Sequence, residues 1–486
     1  MDAKVEVNLT KVKGNIDKRI YGQFIEHLGR CIYGGVWVGE NSQIQNINGY
    51  RKDVLEAVKA IAPSVIRWPG GNFSSGYHFE DGLGPRDKRP VRYDLAWGVE
   101  ESNQFGTDEF VQWCKLIGAE PFVVVNAGNG SPEEAARWVE YCNRRGNSFY
   151  ATLRAKYGHE EPYRVKLWGI GNEAYGSWQV GFALDPKDFA KRTIEFSNEM
   201  KKVDSNIELV AVGSGNPEWD IEMVKTAGNW FDYLSIHRYD NPSSMNYYDY
   251  MALSIEIENW LREVYKSIKV AERLGKVKKD IKISFDEWNV WYPEAKPVLH
   301  HQLTSVKDGL YTAMMLNSLH RLSDVVSIST FAQTINVLPL VYTRDDGAFF
   351  VNPQYLAFKL FSQNRGDKVL DVMVNSPTYN SSKFDEVPYI DVTASYSSSS
   401  NRAYVYIVNR HEKDKLSCEV HLDGLYQGHF QVSSFSGESI EDKNSFDEPS
   451  KVEITSSKVD KFFNGRINLL LNPHSVNVVS IQISSL

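Results

Sequence analysis

Two glutamates occupy positions from which a pair of carboxylates can act on one bond. Glu173 closes the run Trp168-Gly-Ile-Gly-Asn172-Glu173, and Glu287 closes Ile283-Ser-Phe-Asp286-Glu287, each directly after a short stretch of strand character. A single glutamate at a strand end is most often half of a structural salt bridge. Two in equivalent places point to joint chemistry. Carboxyl groups about 5–5.5 Å apart cleave glycosidic bonds with retention, one as nucleophile and the other as acid and then base. Repulsion between them is expected to keep one of them protonated near neutral pH.

The elements that must hold these residues alternate regularly. Strand character marks Arg19–Phe24, Ser64–Trp68, Pro121–Asn126, Val165–Ile170, Glu208–Val212, Tyr233–Ile236, Ile281–Phe285 and Val326–Phe331. Helical patterns fall between them at Arg51–Ile61, Thr107–Ile117, Pro132–Arg144, Pro186–Val203, Ser254–Leu274 and Ser305–Leu322. Several of the strands are almost wholly apolar, as strands buried on both faces are. Eight in alternation with helices is the number that closes an α/β (β/α)8 barrel. Gly169-Ile-Gly171 lacks the third glycine of a dinucleotide-binding turn and is set aside.

After about residue 350 the texture changes to alternating strands with no long helix: Tyr389–Tyr396, Arg402–Val408, Ser417–Leu422, His429–Phe435 and Val476–Ile483. This spacing predicts a C-terminal antiparallel β-sandwich. Lys4–Val12 alternates in the same way and is expected to join it. The expected divisions are an N-terminal strand in 1–18, a barrel in 19–345 and the sandwich in 346–486.

Active sites of such barrels form at the C-terminal ends of the strands. Those ends carry Glu26-His27, Arg67-Trp-Pro-Gly-Gly-Asn72, Asn126, Asn172-Glu173, His237-Arg238-Tyr239, Asp286-Glu287-Trp288-Asn289 and Gln333. Carboxylates, amides and aromatics converge there, which suits an uncharged polyol. The chain of 486 residues carries a net charge of −8, so nucleic acid and anionic membranes are poor partners. No apolar run is long enough for a transmembrane helix, and the opening residues lack the apolar core of a signal peptide, which predicts a cytoplasmic protein. The four cysteines have no metal or disulfide spacing. His300-His301 resembles a metal pair only superficially, since adjacent side chains rarely share an ion. Asn8-Leu-Thr10 and Asn72-Phe-Ser74 are chance glycosylation matches without a secretion signal. No cofactor or metal is expected.

Tyr21-Gly-Gln-Phe-Ile-Glu26-His27-Leu-Gly-Arg30, Arg67-Trp-Pro-Gly-Gly-Asn72, Gly169-Ile-Gly-Asn172-Glu173 and Asp286-Glu287-Trp288-Asn289-Val-Trp291 resemble the signature blocks of the family 51 glycoside hydrolases, chiefly α-L-arabinofuranosidases. The resemblance implies that Glu173 is the acid/base and Glu287 the nucleophile. It also implies that Glu26, Asn72, Asn172 and Gln333 bind sugar hydroxyls, that Tyr239 orients the nucleophile, and that Trp97 and Trp291 flank the leaving group. Arg67 stands where a cation would keep Glu287 ionised or form a structural ion pair, and His237 is expected to line the site. The family further implies arabinose-containing oligosaccharides as substrates and a homo-oligomer, a hexamer. Rival readings are another retaining enzyme of the same clan, an endo-β-glucanase or β-xylosidase, and a non-catalytic sugar-binding protein. Glu26, a third carboxylate, favours a closed one-sugar pocket over an open cleft.

Overall fold

The structure is a computed structural model that describes residues 1–295, 302–423, 430–459 and 464–483. His300 and His301 therefore lie outside the described residues, as does His429 at the start of one expected strand.

Eight parallel strands close in chain order into the expected barrel. They are β2 (Gly22–Phe24), β3 (Val65–Trp68), β4 (Glu120–Val125), β5 (Leu167–Ile170), β6 (Glu208–Val212), β7 (Tyr233–Asp240), β8 (Lys282–Val290) and β9 (Val326–Phe331), while β1 (Asp2–Asn15) precedes them. The barrel interior is filled by Val65, Phe122, Val124, Leu167, Val210 and Ile328, so it is a packed core and not a channel. Side chains two positions apart on a strand share a face. Arg67 therefore points inward directly above Val65, at the rim where the apolar filling ends.

Three of the helices around the barrel start where a capping side chain meets a proline. Ser131-Pro132, Asp185-Pro186 and Asn216-Pro217 open α3 (Pro132–Asn143), α5 (Pro186–Val203) and α6 (Pro217–Ala227), and each cap oxygen accepts a backbone N–H of the first turn. The other helices are α1 (Lys52–Ala60), α2 (Thr107–Ile117), α4 (Phe149–Lys156), α7 (Tyr247–Leu274), α8 (Val306–Arg321) and α9 (Pro353–Gln363). Helix α2 has the expected bounds, but its cap is Gly106, whose N–H is taken by the Glu109 carboxylate at 2.8 Å, rather than Thr107 or Asp108.

Five elements depart from the sequence expectation for local reasons. Asp17 accepts the N–H of Arg19 and turns Lys18–Tyr21 into a 3-10 helix, so β2 begins only at Gly22. Asn246 caps α7 seven residues before the expected start, through an aromatic-rich turn. Strands β7 and β8 run on past Ile236 and Phe285, because they continue to pair with each other through Asp240 and Val290. The region after residue 350, expected to lack a long helix, opens with α9, capped by Asn352 and packed on α8. The short helices α4 and α6 were not anticipated.

Apart from four short two-stranded ribbons, the other strands are β10 (Lys368–Asn375), β11 (Ile390–Ser397), β12 (Arg402–Asn409), β13 (Leu416–Asp423), β14 (Phe430–Phe435), β15 (Thr455–Val459), β16 (Arg466–Leu471) and β17 (Ser475–Gln482). With β1 they form one nine-stranded sheet in the order β15-β14-β17-β12-β11-β10-β1-β13-β16. Distant strands of this sheet share one core, in which Cys418 and Ile467 join Val405, Ile407 and Ile481, so the sheet folds over on itself. Strand β1 lies inside it, antiparallel to β10 and parallel to β13. A buried polar seam joins sheet to barrel: Asp391 accepts from Asn317 at 2.9 Å and Arg321 at 3.0 Å on α8, and pairs with Arg410 at 3.2 Å. Among the described residues no helix is long and apolar enough to cross a membrane.

Leu9 on β1 is 2% exposed within the folded-over core. Leu9→Ala should cost about 2–5 kcal/mol of stability, read as a lower midpoint in chemical unfolding. Lys11→Ala, which removes only an exposed ion pair to Asp371, should cost less than about 1 kcal/mol.

Candidate active site

The mouth is assembled around Arg67. Its guanidinium donates from Nη1 to Glu287 Oε1 at 2.7 Å and from Nη2 to Asn172 Oδ1 at 2.7 Å, while Nε lies 3.7 Å from Asp286 Oδ2. The other oxygen of Glu287 accepts from Tyr239 OH at 2.7 Å. Glu287 is thus held at both oxygens, by a cation on β3 and a phenol on β7. Two consecutive strand residues ordinarily face opposite ways, yet Asp286 and Glu287 both reach this cluster. The cause is a bulge: Ser235 pairs with Ser284 and His237 with Glu287, so β8 carries one residue more than β7 across the interval.

His237 sits among three carboxylates. Its Nδ1 lies 2.9 Å from Glu173 Oε1 and 3.6 Å from Glu287 Oε1, and its Nε2 lies 3.2 Å from Asp286 Oδ1. Ser235 donates to Asp286 at 2.6 Å. Burial alone would favour the neutral imidazole, but the charges of Glu287, Asp286 and Glu173 outweigh it and raise the His237 pKa to about 10. Glu173 shows the reciprocal effect. Burial pushes its carboxyl up, and the hydrogen bond and charge of His237, with the Trp178 indole and Arg67, bring it below its ordinary value. The repulsion expected between Glu173 and Glu287 is offset at Glu173: His237 stands between the two carboxylates, and its hydrogen bond and charge lower the Glu173 carboxyl. Glu173 itself adopts φ +39°, a left-handed conformation costly for a side chain with a Cβ and found where geometry is dictated by function.

The third carboxylate closes the opposite wall. Glu26 Oε1 accepts from Phe73 N at 3.1 Å and from Trp97 Nε1 at 3.3 Å, and its Oε2 accepts from Gln333 Nε2 at 2.8 Å. Neither nearby arginine pairs with Glu26, since Arg67 pairs with Asp286 and Glu287 and Arg30 pairs with Asp345. Burial, then the charge of Glu287, raises the Glu26 pKa to about 8. Two glycines make the cluster possible. A Cβ on Gly70 would lie 2.6 Å from Glu26 Cγ, and one on Gly71 would lie 3.0 Å from Glu287 Oε1.

Asn72 accepts from Asn172 Nδ2 at 3.4 Å and from Gln179, so both expected amides meet in one place. Trp97 reaches Glu26, and Trp291 stands edge-on to Tyr239 with ring centroids 5.3 Å apart. Asn126, at the end of β4, is turned into its own loop, bonding Tyr77 O and the backbone of Gly128 and Asn129. Three residues of the site, Ser235, Gln179 and Trp178, are absent from the sequence reading, and Asp286 is named there only at its strand end, with no role. Asp286 and Ser235 flank His237, Gln179 holds Asn72, and Trp178, 61% exposed, donates to Glu173 Oε2 at 2.9 Å. The last two lie within six residues of Glu173, the only signal the sequence offers for them.

One nitrogen of His237 and one oxygen each of Glu173 and Glu287 lie within 4.8 Å of one another, close enough to be considered as ligands of one ion. The chemistry of the set argues against it. Arg67 already occupies the Glu287 oxygen, and His237 Nδ1 is engaged with Glu173, so a metal cation would sit beside two positive groups. What the arrangement suits is a paired-carboxylate reaction on a neutral polyol.

A barrel with two carboxylates at the ends of its fourth and seventh strands, and a sheet domain beside it, fits the class of glycoside hydrolases that work with paired carboxylates. Comparison with known proteins narrows the class. Residues 57–255 match the model of the α-L-arabinofuranosidase 1 domain and residues 286–475 that of the α-L-arabinofuranosidase C-terminal domain. The chain is 36% identical to the intracellular exo-α-(1→5)-L-arabinofuranosidase of Acetivibrio thermocellus, over 92% of this chain and 96% of that one. The arabinose complex of the Thermotoga maritima α-L-arabinofuranosidase superposes with a TM-score of 0.92 at 39% identity, covering 99% of this chain and 100% of that one. The thermostable enzyme of Thermotoga petrophila, titled a GH51 α-L-arabinofuranosidase, gives the same TM-score of 0.92 and 39% identity, again over 99% and 100%. The chain belongs to the α-L-arabinofuranosidases of glycoside hydrolase family 51.

The raised pKa of Glu26 has a consequence for stability. A folded-state value near 8 against an ordinary 4.5 means that the folded protein holds this proton more tightly than the unfolded chain. Glu26 therefore contributes stability below about pH 4.5, and that contribution is lost as pH rises towards 8. Glu26→Gln has no proton to lose, so its Tm relative to the wild type should rise between those pH values; a difference that falls instead would contradict the assignment.

Proposed function

We propose that this protein is a retaining, exo-acting α-L-arabinofuranosidase, which releases terminal non-reducing arabinofuranosyl units through a covalent glycosyl-enzyme. The observation that carries the reading is the approach of Glu173 and Glu287, with oxygens within 4.8 Å, beside a third carboxylate that closes the pocket.

In this reading Glu287 attacks the anomeric carbon while Glu173 protonates the departing oxygen. Glu173 then removes a proton from the water that releases the sugar. Arg67 and Tyr239 fix the attacking carboxylate and reduce the reorganisation needed at the moment of attack. Glu26, Asn72, Asn172 and Gln333 present acceptors and amides to the sugar hydroxyls from rigid positions on four strand ends. Trp97 and Trp291 offer aromatic faces at the rim. The third carboxylate supports a one-sugar pocket over the open cleft of an endo-acting clan relative, and the intact carboxylate pair argues against a non-catalytic sugar binder. The Acetivibrio thermocellus relative is named for α-(1→5) linkages, which supports arabinose-containing oligosaccharides, arabinan fragments among them, as substrates. Its name and those of the Bacillus subtilis and Halalkalibacterium halodurans relatives are all intracellular, in keeping with a cytoplasmic enzyme. Resemblance extends the proposal to a homo-oligomer, a hexamer, and to a catalytic unit spanning 19–345 with the sheet domain built from 1–18 and 346–486.

Glu173→Ala separates the two roles. On unactivated oligosaccharides its kcat/KM should fall by about 10²–10⁴-fold. With an activated aryl arabinofuranoside the first step should survive, and external azide should restore turnover, giving an arabinosyl azide of the substrate's own anomeric configuration. Equal loss on every substrate, with no azide rescue, would overturn the role of Glu173.

A further inference from the structure

His237 Nδ1 lies 2.9 Å from Glu173 Oε1, while Nε2 is hydrogen-bonded with Ser235 Oγ at 3.1 Å and lies 3.2 Å from Asp286 Oδ1. Ser235 directs its O–H to Asp286 at 2.6 Å, so its oxygen accepts from Nε2–H. A neutral imidazole would then turn its Nδ1 lone pair on an ionised Glu173. One further proton, on the ring or on Glu173, satisfies the Asp286–Ser235–His237–Glu173 chain. Strand geometry makes the chain rigid. Ser235, His237 and Tyr239 alternate along β7 on its inner face, and the β8 bulge brings Asp286 under the ring.

We propose that His237 is a positioning residue that stores, on Nδ1, the proton which Glu173 delivers to the glycosidic oxygen, and that it takes the proton back in the second half of the reaction. This rests on Glu173 being the acid/base. In the free enzyme Glu173 is the carboxylate and His237 the imidazolium. As the bond to the leaving group breaks, the proton passes from Nδ1 to Glu173 and from Glu173 to the departing oxygen, which keeps the bonding electron pair, while Glu287 forms its bond to the anomeric carbon. His237 is left neutral, with its remaining N–H on Nε2 towards Ser235 Oγ. When water attacks and Glu287 departs with the electron pair of its bond, Glu173 accepts the water proton and returns it to Nδ1. No net proton is gained or lost. The balance of groups around the ring favours this cycle. Glu173 comes from the end of β5, Asp286 and Glu287 from β8, and Ser235 and Tyr239 from β7, while Arg67 on β3 offsets one of the three negative charges. Tyr175 is also within electrostatic reach of the three acids, and its own pKa is raised so that it stays neutral. The upward shift of His237, to about 10, agrees with the ring being the resting place of the proton.

His237→Asn tests the storage apart from the positioning, because the Asn amide retains a donor near the place of Nδ1–H but cannot hold an additional proton. On an unactivated arabino-oligosaccharide the alkaline limb of kcat/KM should lie at least about one pH unit lower in the variant than in the wild type, and the loss at pH 8 should be about tenfold or more. An activated aryl arabinofuranoside should be much less affected. Glu26 titrates in both enzymes, so the difference between the two profiles belongs to His237. Superimposed alkaline limbs, with equal losses on both substrates, would reduce His237 to a hydrogen-bond partner and overturn the proposal. Neutron diffraction from the native enzyme near pH 7 gives a check free of any variant. Deuterium on both ring nitrogens and none on Glu173 is the expected result, and a deuterated Glu173 beside a singly protonated ring overturns it. If Glu173→Ala fails the azide rescue, the acid/base reading falls first. If the rescue holds and the limbs superimpose, only the storage role falls.

Discussion

The structure depends on how one small volume accommodates four carboxylates. Glu26, Glu173, Asp286 and Glu287 converge on the barrel mouth, all of them largely withdrawn from water. Two like charges 4 Å apart repel by about 4 kcal/mol at an effective dielectric of about 20, so the cluster cannot persist uncompensated. Arg67 answers part of this with a fork of hydrogen bonds that no other cation geometry reproduces, reaching Glu287 and Asn172 at once. His237 answers another part from the opposite side. Glu26 pairs with neither, and burial, followed by the charge of Glu287, raises its pKa. Removing Arg67 would leave Glu287 and Asp286 without their strongest partner, and breaking a buried pair costs more than the pair contributes.

That compensation dictates the surrounding architecture. Arg67 must rise from the packed filling of the barrel, which fixes its position two residues above Val65. Glycine is required at 70 and 71 because side chains there would enter the space of Glu26 and Glu287. The bulge in β8 lets consecutive acids serve the same cluster. Further out, α8 anchors the barrel to the nine-stranded sheet through Asp391, whose carboxyl is held below its ordinary value because Arg321 and Arg410 outweigh the effect of burial. The first strand of the chain is locked inside that sheet, so both ends of the sequence help to close the domain behind the catalytic barrel.

Much of this was legible in the residues. Eight strands were found because each is a compact apolar run, and Glu173, Glu287, Glu26, Asn172 and Gln333 were found because strand ends mark the mouth. Periodicity could not show where a strand continues past its apolar run. Strand β8 looked finished at Phe285 because Asp286 and Glu287 are polar, although both remain in the ladder. For the same reason Asp286, though visible at its strand end, carries no role in the sequence reading: strict alternation would turn it away from Glu287, and only the bulge returns it. Strands β10 and β16 were missed because exposed residues such as Met373 and Leu470 are apolar, which blurs their alternation. Charge balance was the other gap. Two acids predict mutual repulsion, and nothing in their spacing reveals that a histidine on a third strand will stand between them.

The central claim is that Glu287, held by Arg67 and Tyr239, forms a covalent bond to the sugar. A mechanism-based arabinofuranosyl inactivator that traps this intermediate, followed by proteolysis and mass spectrometry, tests it directly. The account predicts one pentosyl adduct per chain, on Glu287, and none in Glu287→Ala. An adduct on Glu173 or Glu26, or turnover that yields the inverted anomer with no adduct, would contradict it.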